Sequence, residues 1–229
     1  MTTISANLQA TKSRIAAAAR QAGRNETEIT LLAVSKTVPP PRLREAAAAG
    51  QRAFGENYVQ EGLAKIGALA DLGLEWHFIG PLQSNKARAV AEHFDWVHGI
   101  DRLKVAERLS LARGADRTPL QACIQVNISG EASKHGIRPD EAAGLAEAVA
   151  GLPNLRLRGL MAIPEPSEDS ALARRRFAAL RELRDALNRQ GLGLDTLSMG
   201  MSHDLEEAVL EGATLVRVGT AIFGERAQA

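Results

Sequence analysis

Apolar residues at Ile4, Leu8, Ile15, Ala18 and Ala22 recur at helical spacing ahead of Gly23 and predict a leading amphipathic helix. Beyond it the pattern alternates. Short β-rich runs near 30–35, 52–54, 75–79, 95–100, 119–127, 155–163, 194–198 and 214–218 are separated by helical patterns near 40–50, 57–71, 84–93, 102–112, 139–150, 168–189 and 203–211. The punctuation agrees. Gly50, Gly114, Gly151, Gly191 and Gly212 follow helical runs, as helix-terminating residues do, while Pro139-Asp140-Glu141 and Ser202 precede them as starting signals.

Strand followed by helix, repeated with short links, is the pattern of an α/β chain folded as a single (β/α)8 TIM-type barrel with an additional N-terminal helix. An open doubly wound sheet is the competitor. The count of eight strands and the absence of Gly-x-Gly-x-x-Gly after the first strand favour the barrel. The expected organisation is one domain over residues 1–229, with a leading helix over 1–23 and the barrel over 30–226.

Composition narrows the function classes. The 229 residues are 45% hydrophobic and 24% charged, with 28 basic and 27 acidic side chains, so the net charge of +1 carries no electrostatic footprint for nucleic acid. Aromatics at 3% leave no base-stacking platform. The basic triplet Arg174-Arg175-Arg176 falls in a helical stretch with acidic neighbours and is expected to be a solvated face. The single cysteine, Cys123, lies in a strand-like run, has no internal disulfide partner and is expected in the core. Since the N-terminus lacks the basic and apolar regions of a signal peptide, and no apolar run reaches the ~18 residues of a membrane helix, a cytoplasmic protein without a membrane partner is expected. A barrel of this length can bury its own core, which favours a monomer.

Barrel active sites lie at the strand C-termini. Lys36 follows the first strand there, Gly55-Glu56-Asn57-Tyr58 the second, Gly80-Pro81 the third, Asn127 ends the fifth and Met161 to Pro164 the sixth. An amine closing an apolar strand is a candidate Schiff-base nucleophile, because desolvation raises its neutral fraction; taken alone, it reads first as a lysine reaching water. The last two strands run into Leu197-Ser198-Met199-Gly200-Met201-Ser202 and Arg217-Val218-Gly219-Thr220. Gly200 and Gly219 permit close backbone approach, and Ser198, Ser202 and Thr220 add hydroxyls, as a phosphate requires. Alternation along the eighth strand turns Leu215 and Arg217 into the barrel, where the guanidinium needs acceptors; Glu225 and Glu56 are the candidate carboxylates.

An amine, a phosphate cradle and an inward arginine together match pyridoxal 5′-phosphate (PLP), which has an aldehyde, a phosphate and a ring nitrogen. Arginine at that nitrogen would keep it neutral and weaken the ring as an electron sink, which argues against broad aminotransferase or decarboxylase chemistry. Asn57, His77 and Met161, at or beside strand ends, complete the candidate cofactor-binding set.

At these positions the sequence resembles the pyridoxal phosphate homeostasis protein family. The resemblance rests on 31–37 with Lys36, Phe54-Gly55-Glu56-Asn57-Tyr58-Val59-Gln60-Glu61, Trp76 to Lys86, Val126-Asn127-Ile128-Ser129, Ser133-Lys134-His135-Gly136, Leu160 to Pro164 and both loops through Phe223-Gly224. It implies a barrel like the N-terminal domain of alanine racemase, with PLP held as an aldimine on Lys36. It further implies Arg217 at the pyridine nitrogen, and Ser202, Gly219 and Thr220 around the phosphate. The implied role is to hold PLP and make it available to PLP-dependent apoenzymes without turnover.

The rival is an amino-acid racemase, which needs a second base on the opposite face of the cofactor. Tyr58 and His77 are the candidates; His93, His98, His135 and His203 look ordinary, and no metal-ligand spacing is present. Glu56 and Asp101 are expected to serve as capping or ion-pair residues rather than catalytic carboxylates.

Overall fold

The computed structural model describes residues 3–131 and 135–224. Eight parallel strands close into a barrel in sequence order: β1 (Thr30–Val34), β2 (Ala53–Glu56), β3 (Glu75–Phe78), β4 (Trp96–Ile100), β5 (Leu120–Gln125), β6 (Leu155–Met161), β7 (Thr196–Ser198) and β8 (Leu215–Val218), with β8 returning to β1. Helix α1 (Ile4–Gln21) leads. The outer ring is α2 (Pro40–Ala48), α3 (Val59–Ala68), α4 (Ala87–His93), α5 (Leu103–Arg113), α6 (Ala142–Ala150), α7 (Ser170–Arg189), α8 (Leu205–Leu210) and α9 (Thr220–Phe223). Each of the eight β-rich runs in the sequence contains or overlaps its observed strand, and the fold is the TIM-type barrel.

Two apolar layers follow from strand alternation. Leu31 and Ala33 of β1, Phe54 of β2, Trp76 and Phe78 of β3, and Val216 and Val218 of β8 pack between strands and helices. Leu32, Ala53, Ile79 and Leu215, with Val34 against them, form a separate small core inside the barrel. Glycine makes that interior possible: a Cβ on Gly55 would stand 3.1 Å from Ile79 and 3.2 Å from Leu32. Between β6 and β7 the requirement is absolute, since a Cβ on Gly159 would lie 1.8 Å from the Thr196 carbonyl oxygen.

The leading helix braces the end of the chain. Thr3 caps α1 by accepting from the Ala6 N–H at 3.2 Å. Asn7 Nδ2 then donates to Ile222 O at 2.9 Å, while Arg14 donates to Glu206 at 2.6 and 2.7 Å and to Ser202 O at 3.1 Å. One helix therefore holds both loops that follow β7 and β8.

Several expectations differ in detail. Ser202 does not start a helix: it lies in a turn, and α8 begins at Leu205 with Asp204 at the cap position. The Met201 N–H donates to Asp204 Oδ1 at 2.6 Å, so the carboxylate rather than the hydroxyl shapes the turn. The four-residue α9 has no counterpart in the sequence pattern, being too short to show a period. Gly151 ends α6 with a right-handed backbone, unlike the left-handed Gly50, Gly191 and Gly212. The arginine triplet is not wholly solvated, because Arg174 bonds Glu211 and Arg176 bonds Glu165. Ser133, Lys134 and Glu225 lie outside the described residues. Among the described residues no helix is long and apolar enough to cross a membrane.

Candidate functional site

The mouth of the barrel is organised around the turn after β1. Ser35 faces outward and is fully buried, its N–H donating to Gly55 O at 2.9 Å and its hydroxyl to Glu56 Oε1 at 2.5 Å. Lys36 follows with the inward parity of Leu32 and Val34, and is half-buried. Thr37 then adopts φ of 65°, a left-handed conformation that a β-branched residue avoids unless its surroundings impose it. What imposes it is α3: the Thr37 N–H donates to Glu61 Oε1 at 2.5 Å.

Both anchors of this turn meet at Lys65. Its ammonium gives its three protons to Ser35 O at 2.6 Å, Glu56 Oε1 at 2.8 Å and Glu61 Oε1 at 2.6 Å. Lys65 is 4% and Glu56 0% exposed, so this is an ion pair inside the protein, between the barrel wall and α3. Burial pushes the Glu56 carboxyl above the usual carboxylate range, while bonds from Lys65 and Ser35 pull it back. Glu56 is consequently not the partner of Arg217; alternation on β2 sends it outward while Asn57 turns toward the mouth. Lys65 and Glu61 went unrecognised as site residues in the sequence, where they look like an ordinary helical i,i+4 pair.

Arg217 does point into the barrel, as the alternation of β8 requires, and is 4% exposed. Its acceptors are neutral: Ser198 O at 2.6 Å and Ser198 Oγ at 2.7 Å from Nη1, and Ala162 O at 2.7 Å from Nη2. Burial lowers its pKa to about 10, with Asp204 raising it, so the guanidinium stays charged at neutral pH. No carboxylate among the described residues forms an ion pair with it. β1 pairs with β8, Leu32 opposite Arg217 and Ala33 opposite Val218, so Lys36 rises from the adjoining wall, four residues nearer the mouth.

The loops after β7 and β8 flank this wall. Gly200 has φ of 90°, and a Cβ there would stand 2.5 Å from that of Ala208. The Arg217 N–H donates to Gly200 O at 2.9 Å, tying the loop after β7 to strand β8. Ser202 is half-buried, Gly219 precedes α9 and Thr220 is exposed at its first turn, where N–H groups have no intrahelical acceptor. Asn57 Oδ1, by contrast, is buried without a hydrogen-bond partner among the described residues. Gly80 fixes the Asn57 backbone from behind, since a Cβ at Gly80 would lie 2.2 Å from Asn57 O. Met161 is buried at the end of β6, level with Ser198.

Other candidates are placed elsewhere. His77 is not at the mouth: both ring nitrogens are engaged inside the barrel, Nε2 with Glu75 at 2.7 Å and Nδ1 with His98 at 2.9 Å. The Ser198 hydroxyl likewise does not face the loop expected to hold phosphate, being fully buried between Arg217 and His98. Tyr58 is 60% exposed and lines a groove on the rim with Asn57, Pro81, Lys86 and Arg102. Asn127 organises its own turn, donating to Glu131 O at 2.7 Å and accepting from the Gly130 N–H at 3.1 Å. Asp101 pairs with Arg102.

The sequence profile of the family described as alanine racemase, N-terminal domain, matches residues 6–227. The pyridoxal phosphate homeostasis protein of Pseudomonas aeruginosa is 61% identical over 226 residues, 99% of this chain and 97% of that one. This chain belongs to the pyridoxal phosphate homeostasis protein family. The Escherichia coli K12 member is 55% identical over 232 residues, covering 99% of this chain and 98% of its own. Among solved structures, the PLP-bound PipY of Synechococcus elongatus is 41% identical with a TM-score of 0.80, covering 92% of this chain and 100% of that one. In this homeostasis-family barrel the amine and the arginine are thus carried on neighbouring strands, with the two glycine-bearing loops beside them.

Proposed function

We propose that this chain binds pyridoxal 5′-phosphate at the barrel mouth and serves PLP homeostasis, holding the cofactor and releasing it to other proteins without turning over a substrate. When bound, the cofactor supplies an aldehyde able to condense with an amine and a pyridine ring whose electron demand depends on its protonation. Lys36 supplies the amine. Arg217 faces the ring nitrogen and, remaining charged, disfavours a proton there. Ser202, Gly219 and Thr220 hold the phosphate, and Asn57, with its unpartnered buried oxygen, orients the ring or its substituents.

The observation that carries this reading is the pairing of Lys36 and Arg217 on adjoining strands, with the guanidinium bonded to carbonyls and a hydroxyl instead of a carboxylate. The names of the 55–61% identical relatives support the homeostasis role. One observation weighs against racemisation: His77 has both nitrogens occupied below the mouth, so it offers no base to the cofactor's free face. The same reading takes the protein as a cytoplasmic monomer.

Titration of the purified protein with PLP, followed by visible absorbance, tests the binding; Lys36→Ala should abolish the protein-bound band. Incubating the loaded protein with L-alanine in deuterated water tests turnover. No deuterium at Cα is expected, and exchange with inversion would replace the carrier reading by the racemase one.

A further inference from the structure

A file of buried polar side chains crosses the barrel interior and ends on Arg217. From the far end, Glu75 Oε1 meets His77 Nε2 at 2.7 Å, His77 Nδ1 meets His98 Nε2 at 2.9 Å, His98 Nδ1 meets Ser198 Oγ at 2.8 Å, and Arg217 Nη1 meets the same Oγ at 2.7 Å. His77 is 1% exposed and His98 and Ser198 are 0% exposed, whereas the Glu75 side chain reaches water at 49% exposure. Trp96 seals one side by stacking on His77 at 5.2 Å between centroids.

Hydrogen-bond chemistry fixes every proton in this file. The ionised Glu75 carboxylate can only accept, so His77 donates to it from Nε2. A neutral His77 then accepts at Nδ1 from His98 Nε2–H, and a neutral His98 accepts at Nδ1 from the Ser198 hydroxyl. Arg217, which can only donate, takes a lone pair of the same Oγ and is compatible with this direction. Both rings are neutral in this arrangement. Burial keeps both below the usual imidazole range, and His77 and Arg217 lower His98 further. The other charged groups acting on the file are Asp95 at His77, Arg158 at Glu75 and Asp204 at Arg217, while the Cys123 thiol near Arg217, pushed up to about 12, is neutral.

We propose that His98, backed by His77 and Glu75, is a positioning residue that locks the Ser198 hydroxyl and through it the plane of Arg217, so that the guanidinium faces the cofactor ring in one orientation. Reversing the file would set a bare His77 Nε2 lone pair against the Glu75 carboxylate, which cannot donate, so the carboxylate holds a single direction. These bonds to Ser198 and Ala162 use three of the five guanidinium N–H groups, all on one side. That one-sided grip orients the rest of the group. The proposal rests on the PLP reading for its consequence, though not for the existence of the file.

Two experiments separate these. In the cofactor-free protein, proton–nitrogen correlation of the histidine side chains should find His77 and His98 both as the Nε2–H tautomer, neither taking a second proton from about pH 7 to 8. An Nδ1–H tautomer at either ring, or a doubly protonated ring at neutral pH, overturns the file. In the PLP-loaded protein, the visible band should be independent of pH over the same range. His98→Leu should make that band titrate and weaken PLP binding about tenfold. His98→Asn, whose Oδ1 still accepts from Ser198, should restore wild-type behaviour. An unchanged pH profile in folded His98→Leu, or equal loss in His98→Asn, refutes the positioning role while PLP binding stands; if the wild type binds no PLP, the functional reading fails and the tautomer measurement still decides the file. If His98→Leu does not fold, His98→Asn and the tautomers decide.

Discussion

Lys65→Met removes the ammonium that joins the barrel wall to α3, and the structure sets the size of the effect. Glu56 would be left fully buried with Ser35 as its sole remaining donor, since its Oε2 has no partner among the described residues. Removing one member of a buried pair costs about 3–5 kcal/mol, because the other charge stays desolvated. Glu61, at 26% exposure, can regain water and adds little. Against a typical domain stability of about 5–15 kcal/mol this is a large fraction, and it should shift a urea midpoint by about 1–2 M. The pH dependence has a definite sign. Glu56 already has its pKa raised by burial, and losing Lys65 raises it further. A carboxyl with a raised folded-state pKa gains stability for the fold as pH drops from that value toward the ordinary 4.5, so the variant's deficit should shrink on acidification. Adding Glu56→Gln should recover most of the loss, with a coupling of about 2 kcal/mol or more in the double-mutant cycle. A deficit under about 1 kcal/mol that ignores pH would refute the assignment of Lys65 as the counter-ion of Glu56.

Three further outcomes follow from the geometry. Gly200→Ala combines a left-handed backbone with a Cβ contact at 2.5 Å, and should cost at least about 2 kcal/mol, or roughly 4–8 °C in Tm; an unchanged melting curve would contradict the loop conformation. Cys123 is fully buried with its thiol pushed up to about 12, so a thiol reagent should label it only as fast as the protein opens, and rapid stoichiometric labelling in native buffer would argue otherwise. Arg14→Ala, which releases Ser202 O and Glu206 from α1, should weaken PLP binding by several-fold with a smaller effect on stability, read by parallel titration and melting.

Most of the barrel was legible because its strands carry their signal locally. Alternation alone turned Arg217 inward and Val216 and Val218 outward, and Lys36 could be placed at the mouth by counting from the end of β1. What escaped were contacts between residues distant in sequence. His98 looked unremarkable beside Trp96, yet its partners are 21 and 100 residues away, across a closed barrel that no local spacing reveals. Lys65 has the sequence context of a solvated helical lysine, and only the packing of α3 against β2 buries it. Ser202 and Asp204 are both good capping residues two positions apart, so the pattern could not decide which one the backbone would use. Thr37 gave no hint of its left-handed φ, because the cause lies in Glu61 on another element.

The proposed carrier role turns on Lys36 being the amine that holds PLP. Reducing the PLP-loaded protein with borohydride and mapping the modified peptide by mass should find the pyridoxyl adduct on Lys36, with Lys36→Ala giving no adduct and a normal melting curve. A label on another lysine, or persistence of the adduct in Lys36→Ala, would contradict it.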